Sequence, residues 1–170
     1  PADSVTTITQ DDNGGVWFGF YPDLLNDQYV SGYAYLSADG QVSAHTIGPG
    51  GFFGAWVRSI AFDQDGGVWI ARFGQIDHID KEGNKTTYTD AQLVPALSDG
   101  DSIRVVQTDG QGGLWIGLTS GGLLHRNAKG QYRSFTDKNT WPTVQFNNVW
   151  ALNARPDGSL YVGTNGGVAV

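Results

Sequence analysis

The 170-residue sequence contains no cysteine. That removes a disulfide framework, a thiolate metal site and a cysteine nucleophile from consideration. Basic residues are few: ten Lys and Arg stand against 17 Asp and Glu, for a formal net charge of -7. Phosphate binding needs a clustered basic surface, and these ten are scattered, so nucleic acid is not an expected partner. No stretch approaches the roughly 18 consecutive apolar residues of a membrane-crossing helix, and the opening Pro-Ala-Asp-Ser lacks the basic and apolar regions of a signal peptide. No membrane contact is therefore expected from this segment. Because residue 1 is Pro rather than Met, the chain is expected to be a processed product or a piece of something longer.

Glutamate is almost missing as well. All the acidic residues except Glu82 are Asp, and most of them adjoin Gly or Asn. Asp there favours turns by bonding its own backbone, so the acidity reads mainly as turn chemistry. Long helical patterns are also lacking, and Gly at 25 positions would penalise helices.

A repeat is what the sequence does contain. Four segments align: Asp-Asp-Asn-Gly-Gly-Val-Trp-Phe-Gly (11–19), Asp-Gln-Asp-Gly-Gly-Val-Trp-Ile-Ala (63–71), Asp-Gly-Gln-Gly-Gly-Leu-Trp-Ile-Gly (109–117) and Arg-Pro-Asp-Gly-Ser-Leu-Tyr-Val-Gly (155–163). Their anchors Trp17, Trp69, Trp115 and Tyr161 are spaced by 52, 46 and 46 residues. Twelve and nine residues before each anchor stand the apolar pairs Val5/Ile8, Val57/Ile60, Ile103/Val106 and Val149/Leu152, which read as a first strand. An Asp-x-x-Gly turn joins it to a second strand carrying the anchor. Third strands are predicted at 32–36, 75–79, 122–126 and 167–170, and fourth strands at segments such as 85–89 and 131–136.

Four antiparallel strands per unit of this length predict an all-β fold, a β-propeller of about four blades at 4–47, 56–90, 102–136 and 148–170 within a single segment, 1–170. The last blade is predicted to stop before its fourth strand. Three outcomes are consistent with that: a fragment of a larger propeller, closure by a second copy, or an imperfect four-blade ring. A second copy or further blades are thus candidate partners.

The stretches 57–70, 115–123 and 161–168 resemble the two-component regulator propeller repeat, in outline V-x-x-I-x-x-D-x-x-G-x-L-W-I-G-T-x-x-G-G-L. Unit two departs from it with Ala71-Arg-Phe-Gly-Gln, and unit one carries an insertion at 21–31. The resemblance implies a bacterial sensor domain outside the inner membrane, periplasmic or extracellular, binding ligands that include glycan fragments. Unit two is also similar in style to the streptogramin lyase propellers.

Propeller ligands are expected at the mouth of the central channel, among loops between blades and between second and third strands. Trp56, Trp141, Phe53 and Tyr21 lie in such loops as candidates to stack on a flat ring, although loop aromatics also plug loops onto the sheets beneath. Arg72 lies between second and third strands. Eleven residues before the anchors stand Thr6, Arg58, Arg104 and Trp150. Arg58 and Arg104 are candidates to hold an anion, while recurrence at one offset also fits a structural position. The candidate ligand-binding set is therefore Tyr21, Phe53, Trp56, Arg58, Arg72, Arg104, Trp141 and Trp150, for a small carbohydrate-like or anionic solute.

No cofactor or metal is expected. The Asp-rich turns at 11–14 and 63–66 evoke calcium loops but lack the downstream Glu, and a hairpin turn already explains them. No catalytic residue is assigned: His78 and His125 sit at repeat positions, His45 on an outer strand, and Glu82 in an outer turn. Two other readings are a protein-interaction scaffold and a lyase or hydrolase, the latter requiring His125 or Asp101.

Overall fold

The computed structural model describes residues 4–25, 27–47, 56–89, 92, 101–136 and 147–170, with the side chains of residues 25, 28 and 29 excepted. Its architecture is all-β, a four-bladed β-propeller in which each blade is a small antiparallel sheet.

Blade 1 comprises β1 (Val5–Gln10), β2 (Val16–Phe20), β4 (Gln28–Leu36) and β5 (Val42–Ile47), with the short β3 (Asp23–Leu25) paired to the start of β4. Blade 2 runs β6 (Val57–Phe62), β7 (Val68–Arg72), β8 (Gln75–Ile79) and β9 (Lys85–Thr89). Blade 3 runs β10 (Ile103–Thr108), β11 (Leu114–Leu118), β12 (Leu123–Arg126) and β13 (Tyr132–Phe135). Blade 4 holds β14 (Val149–Ala154), β15 (Leu160–Thr164) and β16 (Gly167–Ala169). The insertion expected as a loop at 21–31 is in fact a strand pairing: β4 extends beyond β2 and folds β3 back on itself, with Asp23 opposite Val30.

The Asp-x-x-Gly turns form as the sequence requires. Gly66 has φ +86°, a conformation that side chains with a Cβ seldom adopt. The preceding Asp closes the turn: Asp109 accepts the backbone N–H groups of Gln111 and Gly113, each at 2.8 Å.

Period-two alternation gives each blade two faces, and the core lies between blades. One face carries the anchor aromatic and the other the aliphatic pair. Ala61, Trp69, Ala71 and Ile76 of blade 2 pack on Ile103, Val106, Leu114 and Ile116 of blade 3. Trp17 and Tyr33 of blade 1 meet Val57, Ile60, Val68 and Ile70 of blade 2. Val105, Trp115 and Leu123 of blade 3 meet Val149, Leu152 and Val162 of blade 4. Every junction thus sets an anchor face on the aliphatic face of the next blade. Such burial stabilises by about 25 cal/mol per Å² of apolar surface removed from water. The inner strands β1, β6, β10 and β14 contact one another in sequence around a common axis.

Candidate functional site

The aliphatic residues of each inner strand, Val5 and Ile8 for instance, lie three positions apart yet belong to one face. Strict alternation forbids that, and the structure resolves it with an irregularity in every blade. The ladder register shifts between Val5 and Thr7, Val57 and Ser59, Ile103 and Val105, and Val149 and Ala151. The residue left unpaired at each shift is Thr6, Arg58, Arg104 or Trp150. A bulge re-aims its side chain, and all four side chains line one open axial cavity of about 570 Å³.

Arg58 and Arg104 differ in how they are held. The Arg58 guanidinium donates to Ser102 Oγ at 3.0 Å and to the Ile103 carbonyl at 2.9 Å, tying blade 2 to blade 3. Thr6 Oγ1 makes the homologous bond to the Val57 carbonyl. Arg104 makes no hydrogen bond among the described residues; its guanidinium carbon lies 3.8 Å from the ring centroid of Trp150. The Nε atoms of both arginines are buried without a hydrogen-bond partner among the described residues. Burial first, and the charge of Arg104 second, lowers the Arg58 pKa below its ordinary value; burial alone does so for Arg104. The described lining of the cavity contains no carboxylate, being Thr6, Thr7, Ile8, Ser59, Val105, Ala151 and Leu152 beside the two arginines and Trp56 and Trp150. Two guanidinium groups therefore share one cavity with no counter-charge among the described residues of its wall.

At one side of the cavity Trp56 lies 4.3 Å beneath the Arg58 guanidinium and meets Tyr21 edge-on at 4.9 Å. Phe73 lies 4.9 Å from the Arg58 guanidinium, a contact the sequence does not signal. The Trp56 indole N–H is buried and has no partner among the described residues. Arg72 stands apart from this group: it is buried at the end of β7 and bonds Asp77 Oδ2 at 2.7 Å. Phe53 and Trp141 lie outside the described residues.

The histidines have a different function. His78 stacks on Trp69 and His125 on Trp115, each with centroids 4.1 Å apart. Their Nε2 atoms bond the turn aspartates, His78 to Asp63 at 2.6 Å and His125 to Asp109 at 2.8 Å. In blade 1 the cross-strand partner of Trp17 is Tyr35, and Asp11 accepts the Trp17 indole N–H at 3.1 Å. These Asp side chains are engaged in holding the hairpin and its anchor. Burial by itself would raise the Asp109 pKa, but the bonds from His125, Gln111 and Gly113 and the charge of His125 outweigh it and hold it below the ordinary carboxylate value. Asp101 accepts from Ser102 N, Thr119 Oγ1 and Ser120 N, tying the start of β10 to the turn that follows β11.

Fold and cavity together define the class as a four-bladed β-propeller whose axis carries two cations. Residues 1–21 match the family model described as Two component regulator propeller, and the resemblance of the repeat to that family is borne out. The structure is similar to the extracellular domain assigned to a hybrid two component system, BT4673 from B. thetaiotaomicron, with TM-score 0.71 and 18% identity over 99% of this chain and 21% of that one. It is similar to YCF48 from Cyanidioschyzon merolae, with TM-score 0.69 and 11% identity over 98% of this chain and 50% of that one. XC5397 from Xanthomonas campestris, a gluconolactonase, is also similar, with TM-score 0.66 and 13% identity over 98% of this chain and 56% of that one. At such identities the likeness shows the fold. The chain spans about a fifth of the length of the BT4673 domain. A search among curated proteins gives no match.

Proposed function

We propose that this propeller is a solute-binding segment of an extracytoplasmic sensor, and that its ligand is a small anionic, sugar-like molecule held in the axial cavity. The observation that carries the reading is Arg104, a guanidinium laid on Trp150 that faces the cavity beside Arg58 and bonds nothing among the described residues. A guanidinium presents paired N–H donors in the geometry of a carboxylate, and the low dielectric of a partly enclosed cavity strengthens the attraction. Trp56 and Trp150, both on the cavity wall, supply faces on which a sugar ring stacks.

The match to the two-component regulator propeller model and the likeness to the extracellular domain of a hybrid two component system support the sensing role and a periplasmic or extracellular location. Binding is favoured over chemistry because the described cavity wall offers two cations and hydroxyls but no carboxylate or imidazole to act as acid or base.

Calorimetric titration tests the reading with D-glucuronate as the probe and D-glucose as its neutral counterpart. Glucuronate is expected to bind and glucose to bind at least tenfold more weakly. Arg104→Ala is expected to weaken glucuronate binding by about tenfold to a hundredfold, the range for a charge-assisted hydrogen bond. Equal binding of both sugars, or an Arg104→Ala variant that binds glucuronate as the parent does, contradicts the reading.

A further inference from the structure

The two arginines of the axial cavity are pinned by different partners and form two half-sites. Arg58 lies over Trp56, at the entry to β6, and both of its hydrogen bonds, to Ser102 Oγ and the Ile103 carbonyl, leave from Nη1. Its Nε and Nη2 make none among the described residues, and they form the fork whose spacing matches a carboxylate. Arg104 lies over Trp150 on β14, and that indole is itself held by Asn165 Oδ1. Each guanidinium is thus laid on an indole of its own, with N–H edges left over for a ligand.

The repeat shows that Arg104 is free of a structural bond its equivalents make. At the two earlier junctions the residue at this position crosses to the next blade: Thr6 bonds the Val57 carbonyl and Arg58 the Ile103 carbonyl. On that pattern Arg104 would reach the Val149 carbonyl, with Asn148 standing where Ser102 stands. It makes no hydrogen bond among the described residues, and Asn148 Oδ1 is buried without a partner among them. The Nε atoms of both arginines are likewise buried and unpaired there, and a buried donor left unpaired is costly.

We propose that the axial cavity takes a dicarboxylate, a sugar diacid of the aldarate class, with one carboxylate on Arg58 and the other on Arg104. The inference rests on the axial cavity being the ligand site and adds to it a second anionic group. Its ground is the charge count: the described wall carries two guanidinium groups and no carboxylate. A ligand with a single carboxylate leaves one of the two desolvated and uncompensated, whereas two separated carboxylates satisfy both. The cavity, at about 570 Å³, has room for a six-carbon chain between them. The hydroxyls of Thr6, Thr7 and Ser59 also line it and can meet those of such a chain.

Calorimetric titration of the full chain at neutral pH tests it with D-glucarate, D-glucuronate and D-glucose 6-phosphate, the last carrying its two charges on one group. Glucarate is expected to bind about tenfold to a hundredfold more tightly than glucuronate, the range for one further charge-assisted contact, and more tightly than glucose 6-phosphate. In Arg104→Ala, and in Arg104→Gln, which keeps bulk over Trp150, the gap between glucarate and glucuronate is expected to close to within about threefold, with circular dichroism unchanged. Equal binding of glucarate and glucuronate by the parent, glucose 6-phosphate binding as tightly as glucarate, or a gap that survives in the folded Arg104 variants would overturn the dicarboxylate assignment while leaving an anion site in place. Failure of all three to bind would overturn the axial site itself, and this inference with it.

Discussion

Gly117 lies so close to Val149 of the next blade that a Cβ would stand 2.5 Å from Val149 Cγ1 and 2.6 Å from Val105 Cγ1. The space for a side chain at this point has been given to the neighbouring blade, and the inner strands approach accordingly. Gly117→Ala is expected to destabilise by about 1–3 kcal/mol through overpacking. In a chain of this size that lowers the melting temperature by roughly 2–4 °C for each kcal/mol, as differential scanning calorimetry reads. A variant that melts with the parent contradicts the close contact.

Arg58 and Arg104 face one cavity but differ in attachment, so their alanine variants separate stability from binding. Arg58→Ala removes bonds to Ser102 and Ile103 across the blade 2 to blade 3 junction and is expected to cost about 1–3 kcal/mol in urea denaturation. Arg104→Ala removes a stacking contact with an exposed indole and is expected to change stability by less than about 1 kcal/mol. Equal losses from the two contradict the assignment.

This division was partly legible in sequence. The offsets of Thr6, Arg58, Arg104 and Trp150 from the anchors placed them together on the inner strands. What aimed them at the axis was the odd spacing of Val5 and Ile8, Val57 and Ile60: a gap of three on one face of a strand demands an extra residue between. That signal is present in the spacing of all four units. Phe73 and Ser102 carry no repeat signature, and only tertiary placement brings them to Arg58. The β3 hairpin within 21–31 was unreadable for a different reason, since Asp-Leu-Leu and Gln-Tyr-Val have no alternation long enough to mark strands. The four-blade architecture, by contrast, followed directly from recurring anchors and Asp-x-x-Gly turns.

Acid is expected to unfold the hairpins through their aspartates. The Asp109 carboxyl is held below its ordinary value, so its contribution is complete above the unfolded pKa of about 3.9 and is lost as pH falls through the lowered folded value. Thermal stability measured downward from pH 5 is expected to fall below about pH 4. Asp109→Asn is expected to be less stable than the parent at pH 6, with a shallower decline below pH 4. An unaltered acid limb contradicts this account of the His125–Asp109 contact.

Arg72 and Asp77 form an ion pair at 2.7 Å with side chains 9% and 4% exposed, and Thr87 Oγ1 also donates to Asp77. Removing one partner of such a pair strands the other charge away from water. Asp77→Ala is expected to cost about 3–5 kcal/mol, read from denaturant midpoints, while leaving anion binding in the axial cavity unchanged in whatever fraction stays folded. Loss of binding in the folded variant would place Arg72 within the ligand site.

The most direct test of the account is to watch the two guanidinium groups during ligand addition. Nitrogen-15 NMR of the arginine Nε–H resonances, assigned by the Arg58→Ala and Arg104→Ala spectra, follows both as D-glucuronate is titrated and again with D-glucose. Saturable shifts of the Arg104 and Arg58 signals with glucuronate, and none with glucose, are the result the axial anion site requires. Resonances that stay fixed through both titrations, or that move alike in both, would contradict it.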